Sequence, residues 1–224
     1  MEDGRTTMAS RIMHLAICKQ LEKYIEVKDI DRFRLGQILP DAVISNQEVP
    51  FNSHYRKSVC NNSKMIMDFS CYFRDYEREI HEDSLYLGYY FHLIEDVIFR
   101  NFMYYNLKLL SRRGTPQLIG ELYQDYHILN YYLIQKYHIT PIQQPTRNFK
   151  KEYINQICPF DLESFLANMQ SDFTEHIIEK PKHFTEDYAE RYLEQCREYC
   201  LKEYNALLKG KHAFSPIDFA WDKN

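Results

Sequence analysis

The sequence predicts an all-α fold, a multi-helix bundle packed around one buried central helix at about 83–110. Three observations point there. Only 6 Gly and 8 Pro occur in 224 residues, too few for a turn-rich β protein. Apolar residues recur at helical spacing, and no strand-like alternation exceeds a few residues. The run Tyr86 to Arg100, YLGYYFHLIEDVIFR, is apolar on almost every side, as a helix buried all round must be.

The elements follow in chain order. Residues 1–7 read as a disordered leader, with Met8 a second candidate start. Ser10 is a candidate N-cap for a helix to Tyr24, with His14, Cys18 and Leu21 on one apolar stripe. Asp29 or Asp31 caps a short helix that ends before Pro40, leaving Asp41 in a rigid turn. Residues 42–63 read as a long polar loop holding His54, with Ser63 capping the next helix. That helix carries an inward stripe of Ile66, Phe69, Phe73 and Tyr76. The central helix starts near Asp83 or Ser84 and runs on toward Leu110, with Arg112 and Arg113 at its negative end and Gly114 beyond it. Thr115–Pro116 is an N-cap followed by proline at the first helical position, and this helix ends before Thr140–Pro141. Residues 141–160 read as a connection, followed by helices at about 161–179 and 186–209. Thr185 caps the last one, and Gly210 lies past its end. The organisation is a leader at 1–7, a helical core at 8–140, and C-terminal helices at 141–224 packed on the same domain.

Composition excludes several function classes. A net charge of -4 and the absence of a long basic block argue against nucleic acid as the main partner. No apolar run reaches the length of a membrane span. The start, MEDGRTTMAS, has no apolar secretory core, so a cytoplasmic location is expected. None of the six cysteines stands in a Cys-x-x-Cys pair, which argues against a zinc knuckle or redox dithiol. Cys196 and Cys200, one turn apart, read as reduced packing residues.

Two polar residues are set into the central run. His92 and Asp96 are four apart and share one helix face. Once buried, each needs a partner, which is either the other residue or a metal ion. Further residues of ligand type join them: His14, Asp41 in Leu-Pro-Asp, and His54 in Ser-His-Tyr. Imidazole and carboxylate are what zinc, manganese and iron bind. Arg100, one turn past Asp96, either meets a phosphate or pairs with a carboxylate on its own helix. His81, His138, His176, His183 and His212 sit in polar surroundings and read as solvated.

The ordered set Met13-His14-Leu15, Leu35-Gly36-Gln37-Ile38-Leu39-Pro40-Asp41, Ser53-His54 and Tyr86 to Asp96, with Gly88 four residues before His92, resembles the zinc-dependent phospholipase C family of bacterial all-α hydrolases. The resemblance covers about residues 8–100, with an extension to Asp125. It implies an all-α bundle with zinc in a cleft and hydrolysis of a small-molecule or lipid-type phosphoester. By position, His54, His92 and Asp96 are implied metal ligands, and His14 matches the family's early histidine. Asp41 matches an aspartate that touches metal or acts as general base. The sequence departs from the family in three places. No Trp amino terminus is available at 6–9, no histidine stands shortly after Asp96, where the sequence reads Val97-Ile98-Phe99-Arg100, and no later His-x-x-x-Glu is present. Asp125 or His127 is offered instead, and one or two zinc ions, or another divalent transition metal, are implied in place of three.

Other metal scaffolds lack their patterns here. There is no His-Glu-x-x-His, no Glu-x-x-His, no His-Asp dipeptide and no Gly-rich phosphate loop. The alternative to a hydrolase is an all-α binding or scaffold protein whose His and Asp residues are satisfied core or retain metal without catalysis.

Overall fold

A computed structural model describes residues 8–43, 52–110, 115–143, 145 and 149–222. The seven helices expected to dominate are α1 (Arg11–Leu21), α2 (Ile30–Gly36), α3 (Phe69–Glu82), α4 (Ser84–Asn101), α5 (Pro116–Tyr137), α6 (Leu162–Thr174) and α7 (Glu186–Leu207). A small antiparallel sheet joins them: β1 (Arg56–Val59), β2 (Lys64–Met67) and β3 (Trp221–Asp222), in the order β1-β2-β3. The fold is therefore mostly α, as the scarcity of turn residues predicts. No described helix is long and apolar enough to cross a membrane.

The caps explain where the helices begin. Side chains of Ser10, Asp29, Thr115 and Thr185 each accept a hydrogen bond from a backbone N–H in the first turn of their helix. Asp83 does the same for α4. Every residue of α4 from Ser84 to Phe99 is buried, the consequence of a segment apolar on all sides. It packs against α2, α3 and α7, while α1 packs against α5 and α7. Residues from the C-terminal third thus close the same core.

Two glycines let α2 and α4 cross with their backbones in contact. A Cβ on Gly88 would overlap the carbonyl oxygen of Phe33, and one on Gly36 would overlap that of Leu85. Only a residue without a Cβ fits at either position. The crossing matters because it carries Gln37 and the Leu39–Asp41 turn up against the middle of α4.

Several boundaries differ from the sequence expectation. The segment 56–67 is a hairpin rather than loop, paired Arg56 with Met67 through Val59 with Lys64. Its turn uses Cys60, Asn61 and Asn62 in the left-handed region, with φ of 52°, 53° and 63°. Asp68, not Ser63, caps α3. The central helix ends at Asn101 and passes into a wider π-type turn, Phe102–Asn106. The bond from Leu107 N–H to Phe102 carbonyl, 2.9 Å, closes that turn. Helix α6 stops at Thr174, where Glu175 turns extended. The proposed leader, the loop at 44–51 and the Arg112–Gly114 stop lie outside the described residues.

Candidate metal centre

Three histidines from three parts of the chain meet the middle of α4. His14 comes from α1, His54 from the turn before β1, and His92 from α4 itself. Each ring is held by its Nδ1. His14 Nδ1 lies 2.6 Å from Glu95 Oε2, His92 Nδ1 donates to the Gln37 carbonyl at 2.8 Å, and His54 Nδ1 lies 2.8 Å from Ser53 Oγ. The groups that brace these rings are themselves anchored. Gln37 Nε2 donates to Glu95 at 3.0 Å, and the Tyr89 hydroxyl donates to the Ser53 carbonyl.

The Nε2 atoms are left facing inward around Asp96. His14 Nε2 is 3.5 Å from Asp96 Oδ1, and the Nε2 atoms of His54 and His92 are each 3.4 Å from Oδ2. His54 and His92 Nε2 are 3.2 Å apart. Asp41 Oδ1 completes the ring, 3.3 Å from His54 and 3.9 Å from His92. Metal bonds of about 2.05 Å to one tetrahedral centre put neighbouring donor atoms about 3.3 Å apart. The observed spacings fall around that figure. His14, His92 and Asp96 form one metal-competent group, and Asp41, His54 and His92 a second that shares His92.

Hydrogen-bond accounting separates a metal centre from a satisfied polar core. Asp96 is 2% exposed, yet neither of its carboxylate oxygens has a hydrogen-bond partner, and His14 Nε2 has none either. A buried carboxylate that makes no hydrogen bond is costly to keep, while an ordinary core His–Asp pair would hydrogen-bond directly. A cation between these atoms removes the penalty, so the buried His and Asp groups fit a metal ion.

The electrostatics ask for positive charge at the same point. Burial opposes ionisation of Asp96, but His92, His14 and His54 outweigh it and hold its carboxyl well below the usual range. Asp41 is lowered in the same way, with burial opposed by His92 and His54. Burial would also depress His14, but the Asp96 and Glu95 carboxylates outweigh it and push the imidazole up to about 10. His54 is raised by Asp41 and Asp96 against burial. Protons on the histidines answer here the demand a divalent ion would meet.

The ring is buried except at one edge. The side chains of His14, His92 and Asp96 are 0% exposed, and that of Asp41 is 22%. Asp41 sits in the 3₁₀ turn Leu39–Asp41 behind Pro40, and the following backbone is pinned by Asp161 N–H donating to Ala42 carbonyl at 2.7 Å. The exposed edge opens into a cavity of about 260 Å³ bounded by Met8, Asp41, Tyr123, Tyr126, His127 and Phe165, among others. A larger cavity of about 490 Å³ lies against Tyr55, Lys57, Asp68 and Tyr153 and touches none of the five ring residues.

Two sequence-derived candidates lie elsewhere. Asp125 is buried, but its carboxylate accepts three backbone N–H bonds, from Lys182, His183 and Phe184 at 2.7, 2.7 and 2.8 Å. It is a clamp tying the segment before α7 to α5, and it belongs to neither metal-competent group. Arg100 forms no ion pair with a carboxylate of its own helix and packs on aromatic rings. Its guanidinium carbon lies 4.3 Å from the ring centres of both Tyr104 and Trp221, joining β3 to α4 by cation–π contact. His127 lines the small cavity but does not enter the ring. Of the histidines read as solvated, His183 pairs with Glu121 at 2.7 Å and His212 with buried Glu203 at 2.8 Å. The residues missed were Glu95, Gln37 and Ser53. Glu95 was findable, since a second acid inside an apolar helix needs its own partner. No family model, no curated protein and no solved structure matches the chain.

Proposed function

We propose that this chain is a metal-dependent hydrolase that cleaves a phosphoester, with one or two zinc ions held by His14, His54, His92, Asp96 and Asp41. One observation carries the reading: three imidazoles, each fixed through Nδ1, turn Nε2 toward a buried carboxylate with no hydrogen-bond partner. Imidazole with carboxylate is a donor set zinc favours, and fixing the far nitrogen sets the tautomer that binds. The ordered motifs from Met13 to Asp96 support the same class through their resemblance to zinc-dependent phospholipase C.

A divalent ion bound there supplies Lewis acidity, polarising a phosphoryl oxygen and acidifying water. The side chains do the rest. Asp96 and the three histidines hold their donors rigid, because each is packed in the core and braced by a second partner. Asp41 alone reaches the cavity, and its lowered pKa keeps it ionised at neutral pH. An ionised carboxylate at that edge accepts the proton that the attacking water loses. The apolar residues of α4 exclude bulk water from the other side.

The test is hydrolysis of bis(p-nitrophenyl) phosphate by chelated and zinc-reconstituted protein. Turnover should appear only with zinc. Asp41→Asn should keep most of the metal and lose turnover by about 10²-fold or more, the scale of a general base. A zinc-loaded protein inactive on several phosphoester classes would leave a metal-retaining binding domain as the reading.

A further inference from the structure

The 260 Å³ cavity beside Asp41 has walls of a distinctive kind. Tyr123 and Phe165 present apolar ring surface, and Tyr123 meets Tyr126 edge to face at a centroid distance of 5.9 Å. Tyr126 is 3% exposed, and its hydroxyl has no hydrogen-bond partner. A buried hydroxyl left unpaired is costly, and buried tyrosines normally find an acceptor. Burial also pushes the Tyr126 phenol well up, so it stays a neutral donor. The charged lining besides Asp41 is Arg11, which is already paired with Asp172, so the Tyr126 hydroxyl is the donor left open there. The cavity is larger than the roughly 150 Å³ that encloses one benzene ring.

We propose that this cavity seats the organic arm of the substrate, and that the substrate is an anionic phosphoester of a short aryl or similarly flat, uncharged group. The arm lies between Tyr123 and Phe165, and the Tyr126 hydroxyl donates to an ester or phosphoryl oxygen next to Asp41. This deepens the phosphoester reading and rests on it. The seat is adjacent to the ring only at Asp41, so it selects the arm without supplying any metal ligand besides Asp41.

Two non-hydrolysable probes separate the ideas, phenylphosphonate and methylphosphonate, titrated by calorimetry into zinc-reconstituted protein. Both share the anionic head, so their difference reads the cavity alone. Phenylphosphonate should bind about tenfold more tightly. Tyr126→Phe should weaken both by about fivefold, the worth of one neutral hydrogen bond, with zinc content unchanged. Tyr123→Ser, at a position 39% exposed, and Phe165→Ala should each reduce the preference for the phenyl probe. Equal binding of the two probes, or a preference indifferent to both wall variants, would overturn the inference and leave the phosphoester reading standing. Failure of both probes to bind zinc-loaded protein would overturn both.

Discussion

Asp96 and Asp125 are both aspartates buried on long helices, and their surroundings differ in one respect. Asp125 on α5 accepts hydrogen bonds from three backbone N–H groups within 2.8 Å. Asp96 on α4 faces three imidazole nitrogens at 3.4 to 3.5 Å and makes no hydrogen bond. The first carboxylate is finished by the protein. The second sits among imidazole nitrogens at a spacing that could hold a metal ion. Burial says only that a carboxylate needs compensation, and the donors around it say whether the answer is structural or functional.

The largest effect expected of this difference is on metal. His92→Ala should drop bound zinc from at least one ion per chain to less than about a tenth, and lower Tm because bound metal stabilises the native state. Mass spectrometry of intact protein alongside thermal scanning checks it; unchanged stoichiometry would make His92 a packing residue. Asp125→Asn should do the reverse. Losing an ionised acceptor for three N–H donors should cost about 3 kcal/mol of stability, read by urea denaturation, with zinc content per folded chain unaltered.

The α2–α4 crossing supports one region and not the other. Gly88→Ala forces a methyl into the Phe33 carbonyl and should cost about 2 kcal/mol. Because Gln37 braces His92, the same variant should weaken zinc affinity, whereas Asp125→Asn should not. Competition with a chelating dye measures this. Retained affinity in Gly88→Ala would show that the ring does not depend on the crossing.

The smallest effect concerns pH. In chelated protein His14 has its pKa raised from 6.5 to about 10, burial being outweighed by Asp96 and Glu95. A raised folded-state value means stabilisation that is complete below 6.5 and lost as pH climbs through about 10. Tm of the chelated form should therefore fall across that window. In the zinc-loaded form the fall should be absent, since the ion has replaced the proton.

What was legible in the sequence follows the same division between local and distant causes. The caps Ser10, Asp29, Thr115 and Thr185 were readable because a side chain and the N–H it accepts lie three residues apart. The burial of α4 was readable because its residues are apolar on every side. His14, Asp41, His54, His92 and Asp96 were singled out from residue type and order, and the fold brings them together. The β hairpin was missed because its strands are four residues long and its third strand arrives from Trp221, far along the chain. Asp125 was grouped with the ligands because nothing local shows that Lys182, His183 and Phe184 fold back onto it. Glu95 was overlooked beside Asp96, although the two acids point to opposite tasks: one braces His14 and the other faces the ring.

The central claim is that the Asp96 ring is a zinc centre. X-ray absorption at the zinc edge tests it most directly, on protein loaded to one equivalent. The spectrum should show two imidazoles, one of them His92, with one or two oxygen donors at about 2.0–2.2 Å. It should be unchanged in Asp125→Asn and should lose one imidazole in His92→Ala wherever residual zinc is bound. A shell of oxygen atoms with no imidazole signal, or an imidazole count indifferent to His92, would contradict the account.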